Sequence, residues 1–208
     1  MLNNLDELIR ISKRYDVKLC VDCISSIGAI PLSLEDIYFA SGVSGKAIGA
    51  YTGLSFVFYN HIVTANETLP TYMDIGMYEE NGSVSYSQSW NLIYALQEAL
   101  KKFEDEDEYK KIYQTYAFME EAVTDMGLQL VSPKEHASFI ILTIVLDKKL
   151  SSKKVGDSLA LQGFITHYES TYLQQNNWIQ MACLNHYKER EMKKMLDCLQ
   201  MQIEQVHV

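Results

Sequence analysis

The stretch from Val21 to Asn60, VDCISSIGAIPLSLEDIYFASGVSGKAIGAYTGLSFVFYN, constrains the fold of this chain more than any other. Val17 to Val21 is a short apolar run suited to a buried parallel strand, and Asp22 stands at its carboxyl end. Ile37 to Ala40 and Leu54 to Tyr59 read as two further strands. Between them glycine recurs at positions 42, 45, 49 and 53, around Lys46. That density of glycine opposes a helix and suits a backbone lying close to a ligand. Open α/β sheets take their ligands at the carboxyl ends of the strands, which is where Asp22 falls.

Each residue also has a plainer reading. Asp22 can cap the following Ile-Ser-Ser turn, and Lys46 can be an ordinary solvent-facing loop lysine. Together, an acid and an amine can grip the two ends of one pyridine ring. Pyridoxal phosphate needs that pair: a Schiff-base lysine, and a carboxylate that keeps the ring nitrogen protonated. The small neighbours Ser44 and Gly45 predict room for such a group and a lysine shielded from water.

The order and wording of this stretch resemble the class V aminotransferases of fold type I. The likeness is nearest to 2-aminoethylphosphonate–pyruvate transaminases and alanine/serine–glyoxylate-type enzymes. In that family VD, SS, G and IP lead into the cofactor lysine, and a PG-type turn leads into a strand. The resemblance implies a pyridoxal-phosphate-dependent transaminase that moves an amino group between an amine or amino acid and a 2-oxo acid. It makes Lys46 catalytic and puts Asp22, Ser44 and Lys46 at the cofactor. GSVSYSQSWNLIYALQEAL, from Gly82, resembles the segment where the family has a threonine-proline turn ahead of a helix. By that likeness Ser87 and Gln88 contact the cofactor phosphate of a neighbouring subunit; the alternative is that they cap the Trp90 helix.

Two departures qualify the resemblance. The family's enzymes are close to twice as long as this 208-residue chain, and the phosphate-binding part would precede Met1. The expected fold class is therefore α/β: the C-terminal part of a fold type I large domain with a mainly parallel sheet, then a small α+β domain. The boundary is expected at residue 104, giving units 1–103 and 104–208. Expected partners are a second copy, as a homodimer, or a complementing N-terminal half. A truncated or degenerate non-catalytic half-subunit is the alternative. Second, the family's carboxylate-clamping arginine falls in Trp178-Ile179-Gln180-Met181-Ala182, where this chain has Gln180. A neutral amide does not replace a bidentate guanidinium. His167, in the Gly-Phe segment LALQGFITHYE, is a second candidate for substrate contact, or an edge-strand histidine. A lyase or desulfurase on the same scaffold would need a mobile, exposed cysteine, and Cys183 and Cys198 fall in a predicted strand and helix.

Elsewhere, amphipathic spacing predicts helices over 3–15, 90–103, 108–126, 152–161 and 187–206, with strands over 138–146, 164–167 and 178–183. The acidic run Glu104 to Glu108 points around a helix and reads as a solvated junction. His61, His136, His167, His186 and His207 lack metal-ligand spacing, so no metal is expected. Cys20 and Cys23 resemble a C-x-x-C, but residues three apart on a strand face opposite ways, which predicts two separate buried thiols. A net charge of −9 argues against nucleic acid. No apolar run reaches the length of a membrane span. With four cysteines and no secretory leader, the chain is expected in the cytoplasm.

Overall fold

The computed structural model describes residues 2–104, 107–184 and 187–204. The chain divides into two compact units. One comprises Asn4–Ile27 and Pro31–Glu104; the other comprises Met1–Asn3, Gly28–Ile30 and Asp105–Val208.

The first unit opens with helix α1, Leu5–Arg14. Asn4 caps it, its side chain accepting from the Glu7 N–H at 3.1 Å. Asp6 and Glu7 in the first turn, and Lys13 and Arg14 in the last, complement the helix dipole. Leu5 and Ile9 pack on the apolar cluster Cys23, Ile37 and Ala40, whereas Leu8 and Ile11 stay exposed.

Three strands follow: β1 (Cys20–Asp22), β2 (Phe39–Val43) and β3 (Ser55–Phe58). β1 is shorter than its apolar run. Val17 N–H donates to Ser12 O at 2.9 Å and Asp16 is left-handed (φ 52), so Val17 closes the exit turn of α1 instead of entering the sheet. β1 and β2 pair in parallel, with Asp22 opposite Ser41. β2 and β3 pair antiparallel, so this three-stranded sheet is mixed rather than mainly parallel. The loop between them contains no crossover helix, which a parallel return requires.

Helices α2 (Ile75–Glu80) and α3 (Trp90–Leu100) complete the unit. α2 falls where the sequence suggests a loop. Asp74 nucleates it, accepting from the Gly76 and Met77 N–H groups through one oxygen and from the Asn66 N–H through the other. The apolar face expected on α3 is present, but none of its residues is buried.

The second unit is α4 (Asp107–Asp125), β4 (Gln129–Leu130), β5 (Ile141–Val145), α5 (Ser152–Leu161), α6 (Thr171–Asn176), β6 (Trp178–Ala182) and α7 (Glu189–Glu204). Its sheet runs β4-β5-β6, all antiparallel. Strand alternation buries Leu142, Ile144, Ile179 and Met181 against Tyr116, Met119 and Val123 of α4, Val155 and Leu159 of α5, and Leu196, Leu199 and Ile203 of α7. Tyr113, expected on the apolar side of α4, is exposed and meets Phe139 edge-on instead. Asn177 terminates α6 in the left-handed region (φ 57), and its amide donates to the carbonyls of Leu146, Asp147 and Leu150. Residues 164–167 do not form a strand; only His167 bridges to Gln180. Of the acidic run, Asp105 and Glu106 lie outside the described residues, as do His186, His207 and the end of the predicted 187–206 helix.

Among the described residues, no helix is long and apolar enough to cross a membrane, and no three His, Cys, Asp or Glu side chains converge as metal ligands. Cys23 is buried, but Cys20 is exposed, so only one of that pair meets the expectation of buried thiols.

Candidate functional site

The carboxyl edge of the β1–β2 pair carries an acid and an amine. Asp22 ends β1, and its Oδ1 accepts two hydrogen bonds: from the Ile24 N–H at 2.9 Å and from the Ser41 hydroxyl at 3.0 Å. The Ile24 bond is the turn cap that the sequence allows. The Ser41 bond follows from the parallel register that sets Ser41 beside Asp22. The carboxyl pKa is held below its ordinary value, first by the Ile24 bond, then by Ser41, with the Lys46 charge adding to both. The carboxylate is therefore ionised at neutral pH and exposed.

Lys46 follows β2 in a tight loop, and its Nζ donates to Ser25 Oγ at 2.7 Å. Ser25 lies in the turn after Asp22, so the acid and the amine are both anchored to one short segment. Lys46 is exposed, not shielded from water as its small neighbours predict. Those neighbours serve the loop itself. Ser44 is fully buried; its hydroxyl donates to Tyr51 O at 2.7 Å and accepts from the Leu54 N–H at 3.3 Å. This hydroxyl staples the loop closed. At Gly45 a Cβ would lie 2.3 Å from Thr52 Cγ2, so the space beside Lys46 is filled by Thr52 and not left open. Ser87 and Gln88 are exposed in the segment leading into α3, whose N-cap residue is Ser89.

In the second unit Gln180 and His167 form a closed chain. His167 Nδ1 and Gln180 Oε1 are 3.1 Å apart, and Gln180 Nε2 donates to Thr143 Oγ1 at 3.1 Å. Their backbones also exchange hydrogen bonds, at 2.9 and 2.8 Å. Both ends of the Gln180 amide are thus occupied within the sheet. Cys183 is buried, and that burial pushes its thiol pKa up to about 12, the opposite of what a nucleophilic thiolate needs.

Sequence reasoning missed Ser41 and Ser25 as site residues. Ser25 belongs to the Ser-Ser pair of the quoted motif, but Ser41 has no local signal because its partner is set by strand register. An ionised carboxylate and a restrained amine on one edge, both reachable from solvent, fit the nitrogen and aldehyde ends of a pyridine aldehyde.

No family model matches the chain. The 2-aminoethylphosphonate–pyruvate transaminase of Pseudomonas putida is 26% identical over 182 residues, which cover 80% of this chain and 50% of that protein. The structure of pyridoxamine–pyruvate aminotransferase from Mesorhizobium loti superposes with a TM-score of 0.84 at 16% identity, covering 99% of this chain and 57% of that one. Ureidoglycine–glyoxylate aminotransferase from Bacillus subtilis gives 0.83 at 16% identity, covering 99% and 57%. The resemblance to aminotransferases read from the residues is borne out, and the fold is that of the fold type I aminotransferases. The chain spans about half the length of the curated relatives it matches.

Proposed function

We propose that this chain is the lysine-bearing part of a pyridoxal-phosphate-dependent transaminase, acting on a small amine and a 2-oxo acid, with 2-aminoethylphosphonate and pyruvate as the first pair to test. The observation that carries this reading is the Asp22–Lys46 pair on one sheet edge, each partner held by a serine hydroxyl. When bound, the cofactor supplies an aldehyde for the amino group and an electron-poor ring that stabilises negative charge on the adjoining carbon.

This chain's residues do the rest. Lys46 Nζ would hold the cofactor at its aldehyde end and, once released by the incoming amine, would carry the proton from the substrate carbon as general base and then acid. Asp22 would hold the ring-nitrogen end and oppose its loss of the proton. Ser87 and Gln88 are the exposed polar candidates for phosphate contact. Gln180 and His167 are the candidates for the substrate's acid group. A closed amide chain in place of a guanidinium favours a substrate whose anion is not clamped bidentately.

A second reading rests on Gln180: a non-catalytic half-subunit that works only with a partner chain. Colour and turnover separate the two. The transaminase reading expects visible absorbance retained by the protein after unbound pyridoxal phosphate is removed, absent in Lys46→Ala, and amino transfer from 2-aminoethylphosphonate to pyruvate by the chain with its partner, a second copy or a complementing half. An inactive assembly that retains no colour after the same treatment would favour the second reading.

A further inference from the structure

We propose that Ser41 is a positioning residue that fixes the plane of the Asp22 carboxylate and so decides which oxygen is offered to a protonated ring nitrogen. The inference rests on the reading above for its purpose, but its geometry stands without any cofactor.

A carboxylate at a strand end can turn about its Cβ–Cγ bond. One hydrogen bond, from the Ile24 N–H, leaves much of that freedom, because either oxygen can accept it in turn. The Ser41 hydroxyl adds a second bond to the same oxygen from a different strand. Two donors converging on Oδ1 from two directions fix the plane and direct Oδ2 away from both. Ser41 is itself held, because its backbone carbonyl accepts from the Cys23 N–H at 3.0 Å in the parallel ladder. The hydroxyl therefore donates from a strand position that the ladder fixes. Among the described residues, both hydrogen bonds to Asp22 end on Oδ1. Oδ2 is then the acceptor turned toward a ligand, and its orientation is set before the ligand arrives, which lowers the cost of binding.

The test uses the whole chain without cofactor at neutral pH, and reads solvent exchange of single amides by NMR. The Ile24 amide reports the Asp22 rotamer, and the Cys23 amide reports the β1–β2 ladder. Ser41→Ala is expected to speed Ile24 exchange by roughly tenfold, the scale of one lost charge-assisted hydrogen bond, while Cys23 exchange stays as it was. Ser41→Thr keeps the hydroxyl and is expected to restore Ile24 protection. Titration of the Asp22 carboxyl carbon should show its pKa rising in Ser41→Ala and not in Ser41→Thr. Unchanged Ile24 exchange in Ser41→Ala would overturn the proposal. So would Ile24 and Cys23 loosening together, because Ser41 would then be only a ladder residue. Borohydride labelling at Lys46 is independent of this outcome. Exchange behaving as expected with no label at Lys46 would keep the positioning role and remove the transaminase reading.

Discussion

The two units of this chain are built to different standards of burial. The second unit encloses one continuous cluster, from Tyr116 and Val123 through Ile144, Leu159 and Ile179 to Leu199 and Ile203. The first, which carries Asp22 and Lys46, buries Cys23, Ile37 and Ala40 beneath its sheet, and Ser44, Ala47 and Ile48 in the lysine loop. Three of its aromatic side chains face solvent: Tyr72 is 75% exposed, Trp90 72% and Tyr51 71%. Apolar burial supplies most folding free energy, so the second unit has its own core while the first resembles a layer awaiting more surface. Asp22 and Lys46 are nevertheless hydrogen-bonded in the first unit, because those contacts depend on short-range register and turns.

The two tryptophans let the comparison be broken directly, since Trp90 reports the first unit and Trp178 the second. The largest expected effect is Leu159→Ala. This fully buried side chain should cost about 2–5 kcal/mol in denaturant unfolding followed at Trp178. Ile93→Ala on α3 should change stability by about 0.5 kcal/mol or less, read at Trp90. Comparable costs at the two positions would erase the difference between the units.

Gly156→Ala comes next. A Cβ there would lie 2.1 Å from Cδ1 of the buried Tyr168 ring, and this overpacking should cost about 1–3 kcal/mol in the same assay. Full stability would mean that Tyr168 can shift despite its hydroxyl bond to Asp157.

Alkali sharpens the contrast further. Burial pushes the Cys183 thiol from 9.0 to about 12 and the Tyr116 hydroxyl from 10.0 to about 12. The Asp157 hydrogen bond, with burial, does the same for Tyr168. In each case the fold favours the neutral form. The stability these groups contribute is whole below their ordinary values and is lost as pH rises from about 9 through about 12. Trp178 fluorescence should therefore report unfolding in that window. A stable Trp178 signal at its upper end would contradict the assigned shifts.

The smallest effect belongs to the site. Ser25→Ala removes the acceptor of the Lys46 Nζ bond at an exposed position, so stability should move by about 0.5 kcal/mol or less. Lys46 should nonetheless react faster with an amine-directed reagent, because its amine is no longer tethered. An unchanged rate would make the Ser25 contact incidental.

Much of this fold was legible because the signals were local. Helix α5 has the predicted limits, since Ser151 caps it and the chain leaves it through Gly163 at φ 90. Helix α1 was legible from Asn4, Asp6 and Glu7. The helices α2 and α6 were not, because six residues are too few to display a period. Their caps, Asp74 and Ser170, were the only available cues. Strand direction at β3 depends on what the connecting loop omits, and an apolar run does not reveal that. Within the site, Asp22 and Lys46 were readable from position and chemistry. The loop role of Ser44 was not readable because a buried hydroxyl and a ligand-facing one look alike in sequence, and Ser41 was hidden because only pairing with β1 gives it a partner.

Lys46 is proposed as the amine that takes the cofactor aldehyde. The most direct test is borohydride reduction of the whole chain with saturating pyridoxal phosphate, followed by peptide mapping. Cofactor mass is expected on Lys46 far above any other lysine, and less of it in Asp22→Asn. Label spread evenly over the surface lysines, or concentrated on another lysine with none on Lys46, would contradict it.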